Sequence, residues 1–288
     1  MIQTKKIFFK DYLYVLPALV MVVGFLMVPV VSVIITSFSK WDLLHPMEFV
    51  GLKNYFNIFT DVNLLISTRN TLIWVGMILL FPMVLGLLFA VFLRNIWFSN
   101  QIKSIFYLPL AMSGTGIGII WRWIFTHSGL LNSALAALGI ISEPRSWLIM
   151  VPQNTFAMIA ASTWQVTGLN MVLFLMGLQD IPAEIIEAAK IDGASGWKSF
   201  TNIILPILRP TTTIVVILNI IGSFKIFDII WPMTAGGPAR ASETLAVSMY
   251  KESFGLFHFG YGSAIAVILS LIIFVIGLAY LRIVALEK

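Results

Sequence analysis

Two kinds of residue in this sequence have a type and a spacing that could do chemistry. The first is a set of neutral hydrogen-bonding side chains inside apolar stretches. Thr163, Thr167 and Asn170 are spaced i, i+4, i+7 and share one helical face, and Asn219 and Ser223 are spaced i, i+4. Such stripes suit a polyhydroxylated, uncharged ligand. Trp164, Trp231, Tyr107 and Phe227 would supply aromatic faces for the apolar side of a ring. Polar groups at membrane depth are the default pointers to a pathway. The plainer reading is that Thr, Ser and Asn hold neighbouring helices together. Lys225 and Asp228, three residues apart, are expected to pair with each other. The second kind is the charged run from Glu187 to Pro210, with Glu187, Lys190, Asp192, Lys198 and Arg209. Each charge would cost a few kcal/mol at the bilayer centre, so this run belongs in water or against another protein.

Other chemistries are excluded. Gly193, Gly196, Lys198 and Ser199 faintly resemble a phosphate-binding loop, but the Gly-Lys adjacency is missing and no strand precedes them. His45, His127 and His258 are far apart and form no metal-binding spacing. There is no cysteine, so no disulfide, iron–sulfur cluster or thiolate zinc site is possible. No nucleophile-elbow serine motif occurs. The expectation is a chain without catalytic residues, metal or bound cofactor.

The elements that must position these residues are membrane helices. The chain is 59% hydrophobic and 11% charged, with mean hydropathy +0.96. Soluble domains carry roughly 25% charged residues, so too little polar surface remains to clothe a soluble particle. The net charge of +5 is spread over span ends and does not point to nucleic acid. Six stretches approach the ~20 apolar residues of a spanning helix: Tyr12 to Phe38, Thr71 to Leu93, Ile105 to Phe125, Phe156 to Leu178, Thr211 to Trp231, and Ala264 to Val284. The first follows Lys5, Lys6 and Lys10 but is too long for a signal peptide and lacks a cleavage site. It is read as a retained helix, bent or tilted around Pro17 and Pro29. Leu52, Tyr55, Phe56 and Phe59 recur at helical spacing, as in an interfacial amphipathic helix or a loop packed on the bundle. Leu130 to Leu138 is a second such stretch.

With both termini cytoplasmic, ten of the 18 Lys and Arg fall inside: Lys5, Lys6, Lys10, Arg94, Lys103, Lys190, Lys198, Arg209, Arg282 and Lys288. The Glu187 run then faces the cytoplasm between spans four and five. Asp180 is expected to cap a helix whose first turn contains Pro182, with Glu184 and Glu187 toward its positive end. Ile185, Ile186, Ala188 and Ala189 would form a small, apolar side, Gly193 a left-handed stop, and Ser195 the cap of a second short helix through Trp197 and Phe200 toward Pro206 and Pro210. Helix, sharp turn, helix suits either a docking element for a partner or a plain hairpin joining two spans.

At this point the chain resembles a known family. Glu187, Ala188, Ala189, Asp192, Gly193, Ala194, Phe200, Ile203, Leu205, Pro206 and Pro210 fill every fixed position of the coupling motif of ABC importer permeases. Ser223, Phe224, Phe227, Asp228, Ile230, Thr234, Gly236, Gly237, Pro238, Ser242, Glu243, Thr244, Leu245 and Tyr250 resemble a block typical of the family's carbohydrate branch, and Phe49 to Tyr55 agrees too. Pro232 and Met233 depart from the usual apolar residues there.

The resemblance implies an all-α membrane protein with six transmembrane helices, both termini cytoplasmic. Residues 1–64 would hold the first helix and an extracytoplasmic segment, and residues 65–288 a five-helix core with a coupling loop at 181–210. It implies the permease subunit of an importer for a sugar or oligosaccharide, in a bacterial inner membrane. Its partners would be a second permease chain, two cytoplasmic ATPase subunits that bind ATP and Mg, and an extracytoplasmic solute-binding protein. Glu187 matches the interfacial acid of the coupling helix and Gly193 its turn; Glu187, Ala188, Ala189, Asp192, Gly193 and Ala194 would dock the ATPase. Trp164, Thr167, Asn170, Asn219, Ser223 and Phe227 are the candidate substrate-pathway residues, although in some importers one permease chain carries the whole site. The alternatives are a sugar phosphate or another polar solute, and a self-sufficient secondary transporter. The latter would need buried acid or His relays and an internal repeat, and neither is evident.

Overall fold

A computed structural model of the protein describes residues 9–93, 104–194 and 196–286. Lys5, Lys6, Arg94, Lys103 and Lys288, read as orientation signals, and Ser195, read as a cap, lie outside the described residues, as do the side chains of Lys10 and Lys190. The chain divides into two compact units, residues 1–59 with 249–268 and residues 60–248 with 269–288.

In the first unit, α1 (Phe9–Val22), a π turn (Val23–Met27) and α2 (Val28–Ser37) form one helical run. The π turn lies between Pro17 and Pro29, and Val28 N–H reaches back to the Val23 carbonyl across it. Every side chain from Tyr14 to Ile35 is exposed, as lipid-facing residues are. Two short antiparallel strands follow, β1 (Ser39–Lys40) and β2 (Glu48–Phe49), with Ser39 opposite Phe49. In α3 (Lys53–Thr60), Asn54 is buried and donates through Nδ2 to the carbonyls of Ser37 and Ser39, both at 2.9 Å. Leu52, Phe56 and Phe59 point outward, as expected of an amphipathic helix.

The second unit begins with α4 (Val62–Leu80) and α5 (Pro82–Leu93). The Asp61 carboxylate caps α4 by accepting from Asn63 N–H at 2.8 Å. This span therefore starts nine residues before the expected Thr71. Its first turns carry Asn63, Ser67 and Asn70, which hydropathy alone assigns to water but which are used internally.

The expected third span is broken. α6 (Ser104–Ala111) and α7 (Gly114–Ile124) meet at 107°. Pro109 supplies no amide donor, Ser113 Oγ accepts from Gly116 N–H to start α7 afresh, and Gln165 Nε2 donates to the Met112 carbonyl at the break. After α8 (Leu130–Ala137), the long α9 (Gln153–Gln179) runs through the middle of this unit. It is followed by α10 (Ala183–Ile191), α11 (Trp197–Ile207) and α12 (Arg209–Phe224), the last two bent by 70°.

The expected fifth span, Thr211 to Trp231, ends instead at Phe224, and Trp231 belongs to a separate α13 (Ile230–Thr234). Past Phe224 the last turn tightens, with Lys225 N–H donating to the Gly222 carbonyl and Ile226 N–H to the Ser223 carbonyl, and the Ile226 carbonyl accepts from Thr244 Oγ1 at 2.9 Å. Lys225 and Asp228 are both exposed and do not pair with each other, contrary to the expectation. Asp228 instead packs on Gly114 at the start of α7. α14 (Leu245–Tyr250) and α15 (Phe259–Leu286) complete the chain.

Among the described residues, four helical runs are long and apolar enough to cross a membrane, at 14–37, 62–93, 153–179 and 259–282, and there are up to six if each bent pair counts as one span. Two apolar clusters organise the second unit. One gathers Trp74, Ile117, Met158, Ile230 and Val247; the other gathers Ala90, Met171, Phe174, Leu178 and Leu208. α5 approaches α9 so closely that a Cβ on Gly86 would meet the Asn170 backbone, a contact that only glycine permits.

Candidate functional site

Residues 181–208 follow the Gln179 end of α9. Asp180 closes α9 rather than capping α10, because the chain turns at Ile181 and Pro182 before Ala183 begins the next helix. The end of α10 is set by Gly193, whose φ of +80° lies in the left-handed region. Ala194 N–H donates to the Ala189 carbonyl at 2.9 Å and Asp192 N–H to the Ala188 carbonyl at 3.0 Å, closing the helix in a Schellman-type turn. Among the described residues no atom lies within 4 Å of a Cβ built on Gly193, so the requirement there is one of backbone conformation.

The apolar side expected of α10 is split between two faces. Ile186 and Ala189 turn inward, with Ile181, Ile204 and Leu208, onto the cluster around Phe174 and Leu178. Ile185 and Ala188 turn outward beside Glu184 and Glu187. Residue 186 to 189 is i, i+3, and 185 to 188 is the same spacing on the neighbouring face. The outward face continues into Ile191, 87% exposed, and Trp197, 74% exposed. Among the described residues, Glu184 and Glu187 make no hydrogen bond or ion pair within the chain. The segment thus has an anchored inner side and an outer side with acids and large apolar groups and nothing over them. Such a face fits a protein partner better than lipid or water.

The pathway residues separate into two groups. Asn219 and Ser223 line a cavity of about 150 Å³ between α4, α9 and α12. Asn219 is buried, with Nδ2 lacking a hydrogen-bond partner, while Ser223 Oγ donates back to the Asn219 carbonyl. Thr167 and Asn170 do not line this cavity; both are buried, and Asn170 lies against Gly86 of α5. Thr163 Oγ1 donates to the Ile159 carbonyl of its own helix. Trp164 stands edge-on to Trp121 with ring centres 6.0 Å apart, and Phe227 stacks on Trp231 at 5.5 Å. The side chains of α9 that do reach the cavity are Ser162, Gln165, Val166 and Leu169. Ser162 and Gln165 are spaced i, i+3, a signal present in the sequence and overlooked beside the longer Thr163 stripe.

Residues 83–286 match the family described as "binding-protein-dependent transport system inner membrane component". The chain belongs to this family. It is 37% identical over 277 residues to the osmoprotective compounds uptake permease protein GgtC of Synechocystis sp., covering 94% of this chain and 97% of that one. It is 35% identical over 280 residues to the arabinooligosaccharides transport system permease protein AraP of Bacillus subtilis, covering 94% and 87%. Its fold matches a chain in the crystal structure of a bacterial ABC transporter involved in import of the acidic polysaccharide alginate, with TM-score 0.83, 20% identity, and coverage of 94% and 93%. This is therefore a permease of the ABC type, a membrane component with several apolar spans.

Proposed function

We propose that the chain is the transmembrane subunit of an ATP-driven importer that moves a sugar or oligosaccharide delivered by a solute-binding protein. Both termini are cytoplasmic, the membrane is a bacterial inner membrane, and residues 65–288 form the five-helix transport core. Two ATPase subunits, which hold ATP and Mg, and a second permease chain complete the assembly. The observation that carries the reading is the uncovered face of residues 183–207. It presents Glu184, Glu187, Ile191 and Trp197 on a helix–turn–helix whose inner side is fixed to the core. Glu187, Ala188, Asp192, Gly193 and Ala194 make the coupling surface, whereas Ala189, expected to share it, is buried and belongs to the inner, anchoring side. ATP-driven closure of the ATPases against it reorients the spans between inward- and outward-facing states. Relatives named for arabino-oligosaccharides and alpha-glucosides support a sugar as cargo.

The hydroxylated cargo passes Asn219, Ser223, Ser162 and Gln165, whose neutral donors and acceptors match sugar hydroxyls. A sugar phosphate would favour a cation on this cavity. Lys225 has no ion-pair partner among the described residues, but it is not among the cavity's lining residues, which leaves a neutral solute as the better fit. The test is to purify the chain with whatever co-assembles and to ask which solute, loaded on the binding protein, stimulates ATP hydrolysis. Gly193→Pro should leave the chain in the membrane but abolish uptake; normal uptake with normal ATPase association would refute the coupling role. Asn219→Ala should raise the solute concentration needed for half-maximal uptake, and an unchanged value would remove Asn219 from the path.

A further inference from the structure

A second cavity among the described residues lies at the other end of α9, between the loop that follows α7 and the 231–238 segment. Its volume is about 490 Å³, within the roughly 300–1,000 Å³ of ligand clefts. It is lined by the aromatic rings of Phe125 and Trp231 and by the polar side chains of Arg122, Thr126, His127 and Ser146. No carboxylate lines it.

Both walls are held by buried asparagines. Asn132, 2% exposed, donates through Nδ2 to the carbonyls of Thr126, His127 and Arg145, and its Oδ1 accepts from Arg145 N–H and Trp147 Nε1. One side chain thus pins the 126–127 and 145–147 stretches that form one wall. On the other side, Asn154 Nδ2 and Ser242 Oγ both donate to the Gly237 carbonyl, at 3.1 and 2.6 Å. Arg122 is set across the opening by one Nη, which donates to the Pro232 carbonyl at 3.1 Å; among the described residues its remaining guanidinium N–H groups have no partner. A crevice left over from helix packing would not need two such hubs. A preformed ligand site does, because recognition weakens when the first contacts are loosely held.

We propose that this cavity is a second saccharide site, separate from the Asn219 cavity, which receives the sugar as the binding protein releases it. A ring face lies on Trp231 and Phe125. Arg122 donates its free N–H groups to ring hydroxyls or to a uronate carboxylate. Thr126 and Ser146 exchange hydrogen bonds with the remaining hydroxyls. This rests on the sugar-importer reading, and in the orientation proposed there the site opens to the outside.

The test uses the absence of cysteine. Thr126→Cys is introduced into the complete transporter, reconstituted in proteoliposomes, and labelled from outside with a membrane-impermeant maleimide. The probes are a malto-oligosaccharide, an arabino-oligosaccharide and an alginate oligosaccharide, each first without binding protein. At least one should slow labelling several-fold, and Arg122→Ala or Trp231→Ala should shift the protecting concentration upward by about tenfold. Leu138→Cys, on α8's exposed end, should label at an unchanged rate. Protection by sugar-free binding protein alone, with none by any sugar, would make the cavity a protein contact and overturn the proposal. So would protection that survives Arg122→Ala and Trp231→Ala together. Uptake is measured on the same vesicles. Uptake without protection refutes this site and leaves the importer reading standing, whereas no uptake and no protection by any sugar refutes both.

Discussion

The two ends of α9 treat charge in opposite ways. Beyond its Gln153 end, residues 234–248 form a closed network. Glu243 is fully buried and accepts from Arg240 Nε at 2.9 Å and from Ser248 Oγ at 2.7 Å. Asn70 Nδ2 donates to the carbonyls of Ala241 and Glu243, and Thr71 Oγ1 accepts from Leu245 N–H. Ser67 and Ser248 hydroxyls meet at 2.6 Å. Beyond the Gln179 end, Glu184 and Glu187 are exposed and, among the described residues, without partners, beside Ile191 and Trp197. α9 spans 27 residues, about 40 Å, so the two regions stand at opposite ends of a helix long enough to cross a membrane. A charge that is buried and paired within the chain fixes a shape. A charge left exposed next to large apolar side chains leaves a surface for another molecule. One end is finished by folding; in the proposed function the other is finished by assembly.

That contrast can be broken by substitution. The largest loss of stability is expected from Glu243→Ala, which strands Arg240 in a largely buried site; removing one partner of such a pair costs about 3–5 kcal/mol. A lowered thermal midpoint and poor recovery of the purified complex would register it, and a wild-type midpoint would show that the loop is not closed as described. Asn132→Ala comes next. It removes the partner of several groups beside an open cavity, where water takes over most of these bonds, so the net cost is about 1–3 kcal/mol. The thermal midpoint should fall by less than for Glu243→Ala, and sugar protection at Thr126→Cys should weaken with it.

Gly193→Ala should cost only about 1–2 kcal/mol, the left-handed penalty of a residue with a Cβ, since nothing crowds the position. Uptake should nonetheless fall more than stability, because the turn sets the angle of the coupling surface. Equal losses in both would make Gly193 merely structural. The smallest stability effect is expected from Ile191→Ser with Trp197→Ser. These exposed side chains contribute within about ±0.5 kcal/mol to the isolated chain, yet the double variant should lose its ATPase subunits on gel filtration. Retained association would place the docking contact elsewhere.

The helical class, the first, fourth and sixth spans and the helix stop at Gly193 were legible in the sequence, because each rests on a local property: apolar length, charge exclusion, or a glycine at a turn. The breaks in spans three and five were not legible, since neither is a matter of hydropathy. The Met112 carbonyl is satisfied by Gln165, 53 residues away, and the Ile226 carbonyl by Thr244, 18 residues on. The early start of the second span was hidden for the same reason, with Ser67 and Asn70 taking partners more than 170 residues away. The Thr163, Thr167, Asn170 stripe read as a pathway because spacing gives the face of a helix without saying what lies opposite. Gly86 lies opposite Asn170, while the cavity took Ser162 and Gln165.

By itself, then, the sequence determined that the chain is a bundle of membrane helices with one charged run that has to leave the lipid and turn at Gly193. Those outcomes follow from transfer free energies and backbone sterics that act within a few residues. Only the tertiary structure decided which polar residues face a cavity, which charges are closed off, and that the two ends of α9 differ. Those depend on hydrogen-bond partners brought together from distant parts of the chain, and no local pattern records the distance.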